Sequence, residues 1–366
     1  MGPALATSHG GRGNAGVLRR VRLMIVDDSM VARAVLSRMV EADGGFEIAA
    51  VAGTAEDAID ALAHVRVDVV LLDLEMPGAG GLRMLPHIIA AARGARIIVV
   101  SSLAEDGAEA TVAALAMGAA DTLPKPGIGR FNGQFSRVLL GKLRALGHAD
   151  EVASAPSFAP PLATPLRAMS NAQLSVLAIG ASTGGIHAIG QFFRALPLRL
   201  DVPILVTQHL PAPFMDVFAR QLSSAASRST VVAKEGMELL PDRIHIAPGE
   251  AHLTVEDRGG CRVVRLDHRR APSGCLPSVD PMLSSAADVF GAGSCAVILS
   301  GMGRDGAVGA ARLLALGGSV LAQDEASSAV WGMPRAVAEA GLACAILPPD
   351  KLARRVASRA GDTAWK

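Results

Sequence analysis

Chemically capable residues collect where the apolar runs of this chain stop. The run Leu174–Gly180 leads into Gly180-Ala181-Ser182-Thr183-Gly184-Gly185, and a helical pattern follows from Ile186. A serine between glycines in a strand-to-helix turn is how a hydroxyl nucleophile is exposed above a sheet. The same turn can cradle a phosphate, because backbone N–H groups converge at a helix N-terminus. The G-x-S-x-G spacing does not choose between the two. A serine nucleophile also needs a base to take its proton and a third group to orient that base. The run P-I-L-V-T-Q ends at His209 within Q-H-L-P, and A-V-I-L-S runs into Gly301-Met302-Gly303-Arg304-Asp305-Gly306. In a parallel sheet these strand ends share one edge. Ser182, His209 and Asp305 therefore read as nucleophile, base and orienter.

Their order, Ser…His…Asp, disfavours the α/β-hydrolases, which run Ser…Asp…His. His187 follows the turn by five residues and is expected to project from the helix. His245 alternates with apolar neighbours in I-H-I-A-P-G and reads as a strand residue. Both rank below His209 as the base.

A second constellation occupies the first half. Asp27 and Asp28 follow one strand signal, Asp73 another in L-L-D-L-E-M-P-G, Ser101 ends a third and Lys125 follows a fourth in P-K-P. Carboxyl ends of parallel strands are where open α/β sheets bind ligands. With strand order 2-1-3-4-5 the three carboxylates converge. Clustered carboxylates repel and call for a cation, and an all-oxygen donor set favours Mg²⁺. A carboxylate beside Mg²⁺ can attack a phosphoryl group and form an aspartyl phosphate. Lys125 and the Ser101 hydroxyl would then pair with the phosphoryl oxygens.

The elements that must position these groups alternate. Strands are expected at Val21–Val26, Phe46–Ala50, Val67–Leu72, Arg96–Ser101 and Ala120–Leu123, with helices between them. Val31, Val35, Met39 and Val40 mark one face of the first helix, and Thr54 with Asp57 three residues on looks like the N-cap of the second. Pro86 leaves the start of the third uncertain. Residues 147–173 turn Ala/Pro-rich without periodicity and read as a linker. Alternation resumes with strands at Leu174–Gly180, Pro203–Gln208, Thr230–Ala233, Ala296–Ser300 and Ser319–Ala322. Helices are expected at Ile186–Leu196, Phe214–Ala225, Pro281–Phe290, Ala307–Leu316 and Pro334–Ala340. A β-rich stretch, Arg243 to Asp267, carries a hairpin turn at Arg258-Gly259-Gly260 and should form an antiparallel edge.

The expected fold is α/β: two doubly wound, mainly parallel three-layer domains, flavodoxin-like and Rossmann-like, joined by a linker. The divisions are a disordered tail (1–20), a first domain (21–146), the linker (147–173), a second domain (174–356) and a C-terminal tail (357–366). At 366 residues, half of them hydrophobic, the chain exceeds one ordinary core. No apolar run reaches the roughly 20 residues of a membrane span. No secretory signal core opens the chain. Cys261, Cys275, Cys295 and Cys344 show no C-x-x-C spacing, which argues against a zinc site or a disulfide framework and fits a reducing cytoplasm. A net charge of +1 points to no nucleic acid.

The first constellation resembles the receiver domain of two-component response regulators. The resemblance implies Asp73 as phospho-acceptor and a histidine kinase as phosphodonor. It also implies Mg²⁺ held by Asp27, Asp28, Asp73 and the backbone carbonyl of Glu75, with Ser101 and Lys125 reading the phosphoryl group. It departs at Thr122, where receivers carry an aromatic residue. In the second half, I-G-A-S-T-G-G, Q-H-L-P, I-A-P-G-E-x-H, P-S-V-D, L-S-G-M-G-R-D-G and W-G-M-P-R resemble the catalytic domain of chemotaxis response-regulator protein-glutamate methylesterases. That resemblance implies a Ser182–His209–Asp305 triad, with the backbone N–H of Met302 as oxyanion donor and Thr183 as a weaker neighbour. It implies methylated chemoreceptors as substrate, glutamine deamidation as a second activity, and no cofactor for ester hydrolysis. Leu276 stands where the family often has His or Arg, which leaves substrate contacts there open. The rival readings are a nucleotide- or phosphate-binding module, with Asp201 near ribose distance, and a peptide-cleaving serine protease. A DNA-binding regulator lacks a basic helix-turn-helix signal.

Overall fold

The computed structural model describes residues 19–101, 105–125, 133–147 and 165–360. Residues 1–18, most of the expected linker (148–164) and residues 361–366 lie outside them.

The first domain is a five-stranded parallel sheet ordered β2-β1-β3-β4-β5. Its strands are β1 (Val21–Val26), β2 (Phe46–Ala52), β3 (Val69–Asp73), β4 (Arg96–Ser101) and β5 (Asp121–Pro124). The strands alternate with α1 (Met30–Glu41), α2 (Ala55–His64), α3 (Gly81–Ala91), α4 (Glu105–Met117) and α5 (Gly133–Gly147). Successive strand side chains point to opposite faces. Met24 and Val26 therefore pack with Ala58, Leu62, Leu85 and Ile88 of α2 and α3, while Leu23 and Ile25 pack with Leu36, Leu139 and Leu143 of α1 and α5.

Thr54 caps α2, its Oγ1 accepting the Asp57 N–H at 3.1 Å. The apolar stripe of α1 meets the core only along one edge. Leu36, outside the stripe, and Val40, within it, are buried, Val35 and Met39 are half-buried, and Val31 is 72% exposed. Periodicity identified a face of α1 but not the side on which the sheet lies.

The second domain is a seven-stranded parallel sheet ordered β14-β13-β12-β6-β7-β9-β8. Its first half runs β6 (Val176–Ala181), α6 (Gly185–Ala195), β7 (Ile204–Gln208), α7 (Met215–Ala226), β8 (Thr230–Val232) and β9 (Ile244–Ile246). The hairpin β10 (His252–Arg258) and β11 (Cys261–Asp267) comes next, followed by α8 (Val279–Phe290) and β12 (Ser294–Ile298). The chain ends with α9 (Ala307–Ala315), β13 (Ser319–Gln323), α10 (Met333–Glu339), β14 (Ala345–Leu347) and α11 (Pro349–Ala357). Phe192, Phe193, Phe218 and Leu352 cover one face of the sheet, and Met282, Leu283, Leu313 and Val337 the other.

The hairpin turns at Gly259-Gly260 but forms its own two-stranded sheet instead of an edge of the main one. Leu253, Val255 and Val264 lie on the α8 side of the core, and Val255 N–H donates to Ser285 Oγ of α8 at 3.1 Å. Both ends assigned to linker and tail are tied down. Arg167 N–H donates to Ala343 O at 2.9 Å, and the Arg359 guanidinium donates to Ala172 O and Ala292 O at 2.9 and 3.0 Å.

The apolar layer beneath α2–α4 is continuous with the one beneath α6 and α7, so the domains share a packed seam. Polar contacts cross it at the start of β5. Gly184 N–H donates to Ala120 O at 2.6 Å, Thr183 Oγ1 donates to Asp121 Oδ2 at 2.6 Å, and His187 Nδ1 meets Ala116 O at 3.0 Å.

Candidate active site

The chain enters the second sheet at β6, builds outward through β7, and returns to place β12 on the other side of β6. That reversal is a topological switch point, where open α/β sheets hold ligands. Ser182 leaves β6, His209 leaves β7, and Met302 and Asp305 follow β12. Registers Gly180↔Thr207 and Ile298↔Gly180 bring the three ends level.

The Ser182 turn is locked from behind. Ser182 N–H donates to Ser300 O at 2.9 Å, Gly185 N–H to Ser182 O at 2.8 Å, and Gln208 Nε2 to Ser182 O at 2.9 Å. Gly184 sits at φ 75°, and a Cβ there would lie 2.4 Å from Ala329 Cβ, so glycine is required on both counts. With the Gly184 and Gly185 amides bonded to Ala120 O and Ser182 O, the turn does not present the converging donors of a phosphate cradle. This removes the alternative that the turn's sequence left open.

His209 Nε2 lies 2.8 Å from Asp305 Oδ2. Asp305 is itself held, its Oδ1 accepting from Ser278 Oγ at 2.6 Å and its Oδ2 from the Val279 N–H at 2.7 Å. These donors hold the Asp305 carboxyl well below the usual carboxylate range despite its burial. Burial pushes the His209 imidazole down, but Asp305 and Cys275 beside it outweigh burial and raise it to about 9. The Gly301–Gly303 loop leans on the serine, for a Cβ at Gly301 would sit 2.9 Å from Ser182 Cβ.

Sequence reasoning missed three residues around this site. Ser278, in P-S-V-D, orients Asp305. Asp280, in the same motif, accepts the Gly309 N–H at 2.8 Å, and burial raises its carboxyl to about 6. His252, in I-A-P-G-E-x-H, accepts the Ser278 N–H through Nδ1 at 2.8 Å and bonds Arg269 O through Nε2 at 2.7 Å, pinning the loop that carries Cys275. The motifs flagged these positions; only tertiary packing shows what they hold. His187 points to α4 instead of the site, and His245 is fully buried in β9 with both ring nitrogens unpartnered.

In the first domain the ligand atoms of Asp27, Asp28 and Asp73 lie within 4.8 Å of one another. Lys125 Nζ sits 2.6 Å from Asp73 Oδ2 and 3.5 Å from Asp27 Oδ2. Burial raises the Asp73 carboxyl above its ordinary value against the pull of Lys125. Among the described residues, buried Asp27 Oδ2 has no closer polar partner than that ammonium. One ammonium does not satisfy three carboxylates, and an all-oxygen pocket with an under-coordinated buried carboxylate oxygen fits Mg²⁺. Ser101 Oγ pairs with Thr111 Oγ1 of α4, linking the end of β4 to the helix at the domain seam. Thr122 is buried with its hydroxyl unpartnered.

Among known proteins, a family model described as CheB methylesterase matches residues 177–356, and one described as response regulator receiver domain matches residues 23–130. The protein-glutamate methylesterase/protein-glutamine glutaminase 2 of Caulobacter vibrioides is 40% identical over 353 residues, covering 94% of this chain and 100% of that one. A Rhodopseudomonas palustris protein-glutamate methylesterase/protein-glutamine glutaminase is 38% identical over 364 residues, covering 93% and 94%. The crystal structure of the Thermotoga maritima CheB methylesterase catalytic domain is 34% identical, covering 50% of this chain and 98% of that one with a TM-score of 0.49.

Proposed function

The chain belongs to the CheB methylesterase family, in its form with a receiver domain, and from that premise we propose that it is a phosphorylation-activated serine esterase. Its substrates would be glutamate γ-methyl esters on chemoreceptors, released as glutamate and methanol. The observation that carries the reading is the His209–Asp305 pair at 2.8 Å, level with Ser182 across adjacent strand ends.

With Nε2 engaged by Asp305, Nδ1 is the nitrogen that takes the Ser182 proton. Ser182 Oγ attacks the ester carbonyl. The resulting oxyanion is met by the Met302 N–H, the kind of contact worth roughly 3–4 kcal/mol. His209 returns the proton to the methoxide, methanol leaves, and an acyl-enzyme remains. Water deprotonated by His209 then releases the γ-carboxylate. A side-chain amide follows the same course with ammonia as leaving group, which supports glutamine deamidation as a second activity.

Control would lie in the receiver domain. Asp27, Asp28, Asp73 and the Glu75 carbonyl would hold Mg²⁺, which neutralises the carboxylates and the incoming phosphoryl group. Asp73 accepts the phosphoryl group from a histidine kinase, with Lys125 and Ser101 as its readers. In the resting protein the receiver is bonded to the nucleophile turn through Asp121 and Ala120. Phosphorylation would bias that two-state seam toward release.

A methanol-release assay on methylated receptors, with and without a small phosphodonor and Mg²⁺, tests the reading. Ser182→Ala should abolish release; full release from that variant would overturn the nucleophile assignment. Removing residues 1–164 should raise basal release, and an unchanged or lower rate would sink the inhibitory role of the receiver.

A further inference from the structure

The loop between β11 and α8 brings a fourth side chain to the triad. The ligand atoms of Cys275, His209 and Asp305 lie within 4.8 Å of one another, although they come from three separate elements. We propose that His209, Cys275 and Asp305 form a binding site for a borderline-soft divalent cation, Zn²⁺ foremost, that shuts off the esterase. Inhibition rests on the esterase reading above, whereas the binding does not.

The donor chemistry selects the ion. Thiolate, imidazole and carboxylate are the ligand types of zinc, and three protein ligands leave one position open in a tetrahedral site. Mg²⁺ has no affinity for a thiolate, so the site is chemically distinct from the all-oxygen cluster at Asp73. Zinc bond lengths place ligand atoms roughly 3.3–3.5 Å apart, so the thiol has to close in by up to about 1 Å or slightly more while the 2.8 Å His209–Asp305 pair opens by about 0.5 Å.

Cys275 is the ligand able to move. Asp305 is fixed by Ser278 and Val279, and His209 by its strand end, whose N–H donates to Ala181 O at 3.0 Å. Cys275 is half-buried and follows Gly274, which has φ 74° and open space where a Cβ would be. Among the described residues its N–H donates to Ser273 Oγ at 3.3 Å and its Sγ rests on Ser273 O at 4.0 Å, both weak local contacts. Binding releases two protons to solvent, one from the thiol and one from Nε2 of the imidazolium, and thiolate plus carboxylate then balance the dication. The ion would take Nε2, the nitrogen that faces Asp305, so it breaks the His209–Asp305 bond and drains basicity from the ring, and Nδ1 no longer draws the proton from Ser182. Local cysteine spacing is blind to such a site, because its ligands are far apart in sequence.

Co²⁺ serves as the spectroscopic probe on the full-length protein, since a cobalt–thiolate bond gives a charge-transfer band in the near ultraviolet. One equivalent should produce the band in the wild type and in Cys261→Ser, and Zn²⁺ should bleach it. Cys275→Ala should lose it. In parallel, Zn²⁺ should inhibit hydrolysis of a chromogenic ester reversibly, with a chelator restoring the rate, and the half-inhibiting concentration should rise at least roughly tenfold in Cys275→Ala. A band that survives in Cys275→Ala, equal inhibition of both proteins, or activation by Zn²⁺ would each overturn the proposal. A normal band on a protein that hydrolyses no ester would uphold the metal site and overturn the esterase instead.

Discussion

Asp305→Asn isolates what the carboxylate does for His209. In the wild type, burial works against the charged imidazole, yet the carboxylate at 2.8 Å and Cys275 raise it from the ordinary 6.5 to about 9. That rise corresponds to about 3 kcal/mol in favour of the imidazolium. The base is therefore charged at neutral pH in the resting protein, and kcat/KM should climb with pH until about 9 as the free imidazole appears. Asparagine removes the Asp305 share of the opposing attraction, the largest single raising cause, while burial and Cys275 remain. The rising limb should move down to about 6–7, and the plateau should fall by roughly 10²–10⁴-fold because ring orientation and imidazolium stabilisation are both lost. Stability carries the same sign. A folded value above the unfolded one contributes stability that is complete below pH 6.5 and gone once pH has risen through 9. The melting-temperature gap between wild type and Asp305→Asn should therefore narrow across that window. Profiles of kcat/KM from pH 5 to 10 on a soluble ester substrate read the kinetics directly. A variant whose rising limb stays near 9 would refute the electrostatic account.

Asp73→Asn should remove activation by phosphodonor while leaving the basal rate, and chelating Mg²⁺ should do the same to the wild type; methanol release with and without donor reads both. Asp121→Ala deletes the acceptor of the Thr183 hydroxyl, a charge-assisted bond worth roughly 1.5–3 kcal/mol, and should raise unphosphorylated activity about tenfold or more if the seam is what restrains the turn. Gly249→Ala places a Cβ 2.3 Å from the Ala212 backbone and should lower stability by at least roughly 1–3 kcal/mol, measured by denaturant unfolding.

Residues at strand ends were the most legible part of this chain. A parallel sheet leaves side chains few alternatives there, so Asp73, Ser101, Lys125, Ser182 and His209 could be placed at their edges from order and pattern alone. The cap at Thr54 was equally readable, because its hydrogen bond is local. What depended on a third partner was not. The apolar stripe of α1 could not reveal that Leu36, outside it, meets the sheet while Val31, within it, faces outward. The alternation in β10 and β11 specified their mutual pairing but not the helix they would cover. β14 is three residues long, too short for a period to register. Cys275 and Ser278 reach the triad only because a loop pinned by His252 folds back over it, which no spacing rule records.

Strand β5 is four residues long, and its two flanks have separate duties. Just past its end, Lys125 grips Asp73; at its start, Asp121 grips the residue beside Ser182. At about 3.3 Å per residue the two grips are roughly 13 Å apart along one extended segment. An extended strand bonded to β4 is stiff along its axis, so a pull at the lysine would carry to the aspartate where a loop would absorb it. Under the proposed control, the receiver would address the ester site through a push-rod that runs lengthwise through its sheet. Adding or removing one residue within that rod would reverse which face each grip presents, leaving both sites chemically intact and deaf to one another.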